Sequence, residues 1–246
     1  MILAFDTSSA LSSVAVVDGE SVVAARRHLD ARRHAELLAP LFADLDPELD
    51  RGSVTAIACG VGPGPYTGLR VGIATALAVG TAWQRPVLGL CSLDAIAAAV
   101  VQAQPGVPGF SVAVDARRRE VYWARYGAGG ARIEGPRVSR PADIDPGLRA
   151  GLWVGHGAAL HADLFGEVVN ADDAADPRSY PHAEWIGRRV GALLDAGAPT
   201  GRAPIPLDAH GEDTGATARA LSGHELLPPR PLYLRRPDAV ATEGVA

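Results

Sequence analysis

Two stretches of the chain carry residues whose types and spacing could do chemistry. The first is Asp6-Thr7-Ser8-Ser9, which ends an apolar opening run. An acid at the end of a buried strand could position a metal-bound water or a phosphate; the same Asp could cap its own turn through the backbone. The second is residues 60–72, GVGPGPYTGLRVG, between a strand-like run and a long helix-like run. Pro63 and Pro65 cannot continue the strand, and Gly60, Gly62 and Gly64 permit a tight loop with close backbone approach. Thr67 is placed to cap the helix that follows. Strand, glycine loop and helix N-terminus make an anion-binding geometry, although a fold-building turn that binds nothing has the same composition. Arg70 lies in the first helical turn, where the macrodipole disfavours a cation. It therefore wants an anionic partner, and a carboxylate or backbone carbonyls of this chain are expected there rather than a phosphate.

Other candidate residues are fewer. All 23 basic residues are Arg, so a Walker-type phosphate loop and a Schiff-base lysine are both excluded. His34 has Leu38 at its i+4 position, and His156 and His161 are five apart, which suits neither one helix face nor one strand face. Surface or turn histidines are expected. Cys59 and Cys91 sit in apolar runs and read as reduced core thiols. Net charge is −5, so the chain as a whole is no obvious nucleic-acid binder. Arg117-Arg118-Arg119 is expected to be a solvated turn. The first residues lack a basic n-region and no run of 18 apolar residues occurs, so no signal peptide, no membrane span and a cytoplasmic location are expected.

The elements that must position these residues follow from periodicity. Strands are predicted at 2–5, 12–17 and 21–25, the last two joined by the hairpin signal Asp18-Gly19. A helix over 31–45 carries apolar Leu37, Leu38, Leu41, Phe42 and Leu45 at helical period, with Pro40 inside it. A strand at 54–59, the glycine loop, a helix to residue 83, a strand at 86–90 and a helix at 93–101 complete the first half. The helix after the loop repeats small residues at Gly68, Gly72, Ala76 and Gly80. Glycine costs about 1 kcal/mol against Ala inside a helix, so this stripe needs a close neighbour, either the chain's own sheet or a second subunit. A lobe boundary falls near residue 103. Beyond it strands are predicted at 111–115, 120–126, 131–133 and 152–154, and a helix at 183–194. Residues 198–229 read as a linker, and 231–237 resume an apolar pattern. No internal sequence repeat is evident.

The order β-β-β-α-β-α-β-α is that of the ribonuclease-H-like lobe of actin-type ATPases. The segments ILAFDTS, RRHAELLAPLFADL, GVGPGPYTGLRVGIATALAVG, VAVDARRREVYWARY and PLYLRRPDA resemble the bacterial TsaB family, also called YeaZ-like. That resemblance covers nearly the whole chain outside residues near 198–229. It implies an α/β, actin-like two-lobed fold: an N-terminal lobe at 1–103 and a reduced C-terminal lobe at 104–246. It implies a part in making threonylcarbamoyladenosine next to the anticodon of ANN-decoding tRNAs, as the non-catalytic scaffold and activator of a TsaD-like catalytic subunit, with a TsaE-like ATPase joining them. tRNA would be met only through the complex. Sister proteins carry His-x-x-x-His after the next strand to bind the catalytic metal; Ser92 and Ile96 stand at those places here. The hairpin at Asp115 also lacks the glycines of a phosphate turn. No catalytic, cofactor-binding or metal residue is therefore expected.

Two other classes compete. An actin-like ATP-dependent phosphotransferase would use Asp6 and the glycine loop but needs a base in the second lobe. A peptidase, suggested by older labels for the wider family, lacks a metal pair and a Gly-x-Ser-x-Gly elbow. The apolar surface of the helices at 31–45 and 67–83 exceeds what one sheet face needs. Leu37, Leu38, Leu41, Phe42, Leu45, Gly68, Gly72, Ala76 and Gly80 are thus expected to form a four-helix contact with a like-folded subunit, a homodimer in isolation.

Overall fold

The chain opens with an apolar strand, β1 (Ile2–Asp6), buried along its whole length. The computed structural model describes residues 1–45, 49–169, 173–199 and 225–234. The Asp18-Gly19 signal joins β2 (Leu11–Asp18) to β3 (Ser21–Leu29) as an antiparallel hairpin. β3 is the sheet edge; its consecutive Arg26 and Arg27 point to opposite faces of the sheet, where they pair with Asp44 and Glu184. Then come α1 (His34–Leu45), β4 (Ala56–Gly60), α2 (Tyr66–Trp83), β5 (Val87–Leu90) and α3 (Ser92–Ala103). The second half supplies β6 (Phe110–Asp115), β7 (Val121–Tyr126), β8 (Arg132–Ser139), α4 (Pro146–Arg149), β9 (Leu152–Val154), α5 (His156–Ala159), β10 (Glu167–Val168), α6 (Ala183–Asp195) and β11 (Leu226–Leu227).

The first sheet runs β11-β5-β4-β1-β2-β3 and the second β10-β9-β6-β7-β8. Leaving β11 aside, each is an antiparallel three-strand meander whose first strand pairs in parallel with the fourth, which pairs in parallel with the fifth. The second lobe repeats the first, with the 12-residue α1 and 18-residue α2 answered by α4 and α5 of four residues each. This is the expected actin-like, ribonuclease-H-like α/β fold with a reduced second lobe.

Alternation along β1 and β2 divides the core. Leu3, Phe5, Val14 and Val16 face α1 and α2, while Ile2, Ala4, Ala15 and Val17 face α6. α3 is apolar nearly all round and is buried accordingly. Its Ile96, Ala97 and Val100 join the core that reaches Phe110 and Tyr126 of the second sheet, and its Ala95 joins the α6 side.

Several expectations are corrected. The second half is not a separate lobe throughout, because α6 packs on β1 and β2 and β11 pairs with β5. The sheet face below α6 is apolar and requires that cover. Leu226 and Leu227 fall within the expected linker, yet they are fully buried as β11; residues 200–224 of that linker, and 235–237 of the apolar tail, lie outside the described residues. α2 begins at Tyr66 with Pro65 as its N-cap, and Thr67 is exposed rather than capping. α1 begins at His34, three residues later than its pattern. β8 is longer than expected: it is an edge strand, where Gly135-Pro136 is tolerated inside a ladder with shifted register.

The small-residue stripe of α2 faces the chain's own first lobe, not a partner. Gly68, Gly72, Ala76 and Gly80 are all buried. A Cβ on Gly68 would fall on the Thr7 carbonyl, one on Gly72 on the Thr7 hydroxyl, and one on Gly80 on Val87. Gly68→Ala is expected to lower the urea midpoint, with a loss of about 1–3 kcal/mol from overpacking against a backbone carbonyl that cannot rotate away, although Ala gains about 1 kcal/mol in helix propensity. A raised midpoint would show that this contact has slack.

Candidate functional site

Asp6 ends β1 completely buried, where β4, the glycine loop and the start of α3 converge. Its Oδ1 accepts the Ser8 amide at 2.9 Å and the Ser8 hydroxyl at 2.8 Å. Its Oδ2 accepts the Ser92 hydroxyl at 2.7 Å, and Ser92 Oγ in turn accepts the Gly62 amide at 3.2 Å. Glycine at position 60 is required: a Cβ there would sit inside the Asp6 carboxylate and 2.6 Å from Ser92 Oγ. Thr7 ties the turn to α2, donating to the Gly68 carbonyl at 2.7 Å and accepting the Gly72 amide at 3.0 Å. The loop that could have cradled an anion thus holds a side chain of its own chain, and Asp6 caps its own turn as one of the two sequence readings had it.

Burial raises the Asp6 carboxyl from 3.8 to about 6; the Ser8 amide, the Ser92 and Ser8 hydroxyls and the field of His182 offset part of that rise. Cys59 and Cys91 are buried free thiols, pushed up to about 12 by desolvation, as their apolar contexts suggested.

Among the described residues, Arg70 meets neither a carboxylate nor a carbonyl. Its Nε donates to the Tyr233 hydroxyl at 3.1 Å and its Nη2 donates to the Tyr66 hydroxyl. The guanidinium carbon lies 3.9 Å from the centroid of Tyr66, which stacks on Tyr233 at 4.5 Å. The aromatic face and hydroxyls supply its negative partner; with α2 starting at Tyr66, Arg70 lies beyond the first turn, so the expected dipole penalty is corrected as well. The expected carboxylate is corrected accordingly, and sequence spacing could not bring in Tyr233 from 163 residues away.

Between the lobes lies a cavity of about 80 Å³. Ser9, His34 and Pro65 line it from the first lobe, Asp115, Arg117, His156 and Tyr180 from the second. His34 is buried, not on the surface, with Nδ1 2.8 Å from Ser12 Oγ. Burial lowers its pKa, and Arg117 across the cavity pushes the same way against Asp30. His156 stacks on Tyr180 at 4.8 Å. Asp115 occupies in β6 the place Asp6 has in β1 and accepts the Arg117 amide at 2.8 Å. Arg117, Arg118 and Arg119 are all left-handed, with φ of 63°, 55° and 61°. Each such residue costs roughly 1–2 kcal/mol without glycine.

Buried ionic groups that sequence reasoning missed lie outside this cavity. Asp94 accepts Tyr126 Oη at 2.8 Å and Arg132 Nε at 3.0 Å; a lone charge in an apolar helix was its signal. His182 Nδ1 lies 3.1 Å from Glu184 Oε1, which also accepts Arg27 Nη1 at 3.2 Å. Burial alone would raise Glu184, but those partners outweigh it and the net shift is downward. Among the described residues, no group of three or more His, Cys, Asp or Glu gathers as a metal site, and no helix is long and apolar enough to cross a membrane.

Of the α1 residues expected at a subunit contact, Leu38 and Leu45 are core, while Leu37, Leu41 and Phe42 are only partly buried. Phe42 packs edge-on to Phe5 and tilts on Trp83 of α2. The outer side of α2 presents Val71, Ala74, Leu77 and Ala78.

Two outcomes test this geometry. An Asp6 carboxyl raised above its unfolded value makes the native state bind more protons between about pH 4 and 6, so stability falls as pH rises through that window. The difference amounts to about 3 kcal/mol at most. Asp6→Asn is expected to fold and to lack this dependence; equal pH profiles for both proteins in urea melts would show that Asp6 titrates normally. Arg119→Gly is expected to raise stability by about 0.5–1 kcal/mol through relief of its left-handed strain, read as a higher melting temperature, and a lower one would assign Arg119 a stabilising contact.

A family model described as tRNA N6-adenosine threonylcarbamoyltransferase (TsaD) matches residues 26–151, just over half the chain. An uncharacterized protein of Mycobacterium leprae is 40% identical over 97% of this chain and 56% of its own length. The tRNA threonylcarbamoyladenosine biosynthesis protein TsaB of Escherichia coli is 33% identical over 51% of this chain and 54% of its own length. The chain thus spans about half the length of these two relatives. The solved structure of YeaZ from Pseudomonas aeruginosa superposes with a TM-score of 0.64 at 29% identity, covering 80% of this chain and 92% of that one. The quoted sequence segments, the duplicated topology and these matches agree, and the chain belongs to the TsaB (YeaZ-like) family.

Proposed function

We propose that this chain acts in threonylcarbamoyladenosine biosynthesis as a non-catalytic scaffold and activating subunit. On this reading it partners a TsaD-like catalytic subunit, with a TsaE-like ATPase joining the complex. It works in the cytoplasm, and ANN-decoding tRNA is met through the complex. The observation that carries the reading is the state of the Asp6 turn. Ser92 and Ile96 stand where the sister family's metal-binding histidines are expected; Ser92 is spent on Asp6 and Ile96 is fully buried in the core. Both Asp6 oxygens are engaged within the chain. The interlobe cavity of about 80 Å³ has room for two or three waters, whereas small-molecule sites typically span about 300–1,000 Å³. These facts favour the scaffold over an ATP-dependent phosphotransferase. The pure protein is expected to hydrolyse no ATP with magnesium; turnover abolished by Asp6→Ala would overturn the reading.

The contact with the like-folded subunit is proposed on the outer sides of α1 and α2, rather than on the small-residue stripe. Leu37, Leu41, Val71 and Leu77 give an apolar face that the chain leaves partly open, with Leu77 40% exposed. A homodimer in isolation and a heterodimer with the TsaD-like subunit would use the same face. Leu77→Arg is expected to keep the melting temperature within a few degrees, since surface substitutions usually change stability by under about 0.5 kcal/mol. It should weaken self-association at least tenfold in analytical ultracentrifugation, the equivalent of about 1.4 kcal/mol. Wild-type association by this variant would move the contact elsewhere.

A further inference from the structure

A second cavity, of about 360 Å³, opens between α3 and α6 under the turn at Gly129 and Gly130. We propose that it binds a small organic acid carrying one carboxylate and an apolar or aromatic body, with Arg188 as the carboxylate anchor. α6 covers the sheet face opposite α1 and α2, so the site is independent of the subunit contact proposed above.

Volume comes first: the cavity falls in the range of about 300–1,000 Å³ typical of small-molecule sites. Most of its charges are already matched. Arg189 donates twice to Glu225, at 2.7 and 2.6 Å. Asp94 at the wall is taken by Tyr126 and by Arg132, which approaches with two nitrogens at 3.0 and 3.4 Å. Arg188 differs. Its Nε is buried and has no hydrogen-bond acceptor among the described residues. Its guanidinium carbon lies 4.9 Å from the Trp185 ring centroid. Held over the indole by cation–π attraction, the guanidinium lines the cavity and keeps its terminal N–H donors for an acceptor of matching geometry, which a carboxylate is.

The remaining lining narrows the class. Glu20 stands at the cavity with no ion-pair partner among the described residues. A second negative charge on the ligand would meet it, so a monoanion is preferred to a phosphate dianion. Ala98, Val101, Pro105 and Ala192 give apolar wall for the ligand body. The turn is held close over that wall: a Cβ on Gly130 would come within 2.9 Å of Val101.

Calorimetric titration of the full chain with naphthalene-2-carboxylate, naphthalene-2-carboxamide and 2-naphthyl phosphate tests the site. One equivalent of the carboxylate is expected to bind, with the amide and the phosphate each weaker by about tenfold or more, the worth of one charge-assisted pair. Arg188→Met keeps most of the stem volume and is expected to bind acid and amide alike. No binding of the acid at millimolar concentration, equal affinity for acid and amide in the wild type, or unchanged acid affinity in Arg188→Met would each overturn the proposal. If Arg188→Met does not fold, the wild-type ranking of the three probes decides alone.

Discussion

The first lobe depends on one buried carboxylate. Asp6 reaches the end of β1 with no solvent, and three donors from two segments compensate it: the amide and hydroxyl of Ser8 and the hydroxyl of Ser92. Each donor fixes something else. Ser8 closes the turn after β1, and Ser92 sets the start of α3 and receives Gly62 from the glycine loop. Thr7 pins α2 by both of its hydrogen-bonding roles. The glycines of α2 are the steric counterpart, since the turn lies where their side chains would be. The raised carboxyl pKa records that the donors do not fully repay the loss of water. A polar knot of this kind specifies a single arrangement of β1, the loop and two helices, because any slip would leave a buried carboxylate unsatisfied.

The second lobe repeats the strand order without repeating the knot. Asp115 stands where Asp6 does, but it is partly exposed and its turn is made of three left-handed arginines. Single helical turns replace the long helices that cover the first sheet. What the second lobe keeps is a wall for the small interlobe cavity and a surface for α3.

The legible part of the fold was the part governed by local rules. Asp18-Gly19, the apolar runs of β1 and β2, and the strand–glycine loop–helix order placed five of the six strands of the first sheet, with ends off by up to four residues. The small stripe of α2 was legible as close packing, but period alone cannot say whether the neighbour is a sheet or a subunit; that took the position of Thr7. The partners of Arg70 and Asp94 were not legible, since Tyr233 and Arg132 arrive from distant segments. The duplicated strand order was hidden because the two lobes share topology and not side chains. β11 was missed for a different reason: two leucines in a Pro- and Gly-rich context carry no period, and only an open sheet edge beside β5 makes them a strand.

The return of α6 and β11 to the first sheet also bears on how the chain is made. β1 contacts α6 across roughly 180 residues of sequence, and β5 receives β11 from about 140 residues downstream. On the ribosome, the apolar side of the first sheet that carries Ile2, Ala4 and Val17 stays bare until most of the second half has been synthesised. The protein therefore cannot mature one lobe at a time. Between emergence of β4 and of α6 that apolar face has no cover, and exposed apolar surface of this kind makes nascent molecules prone to aggregate or to need a chaperone.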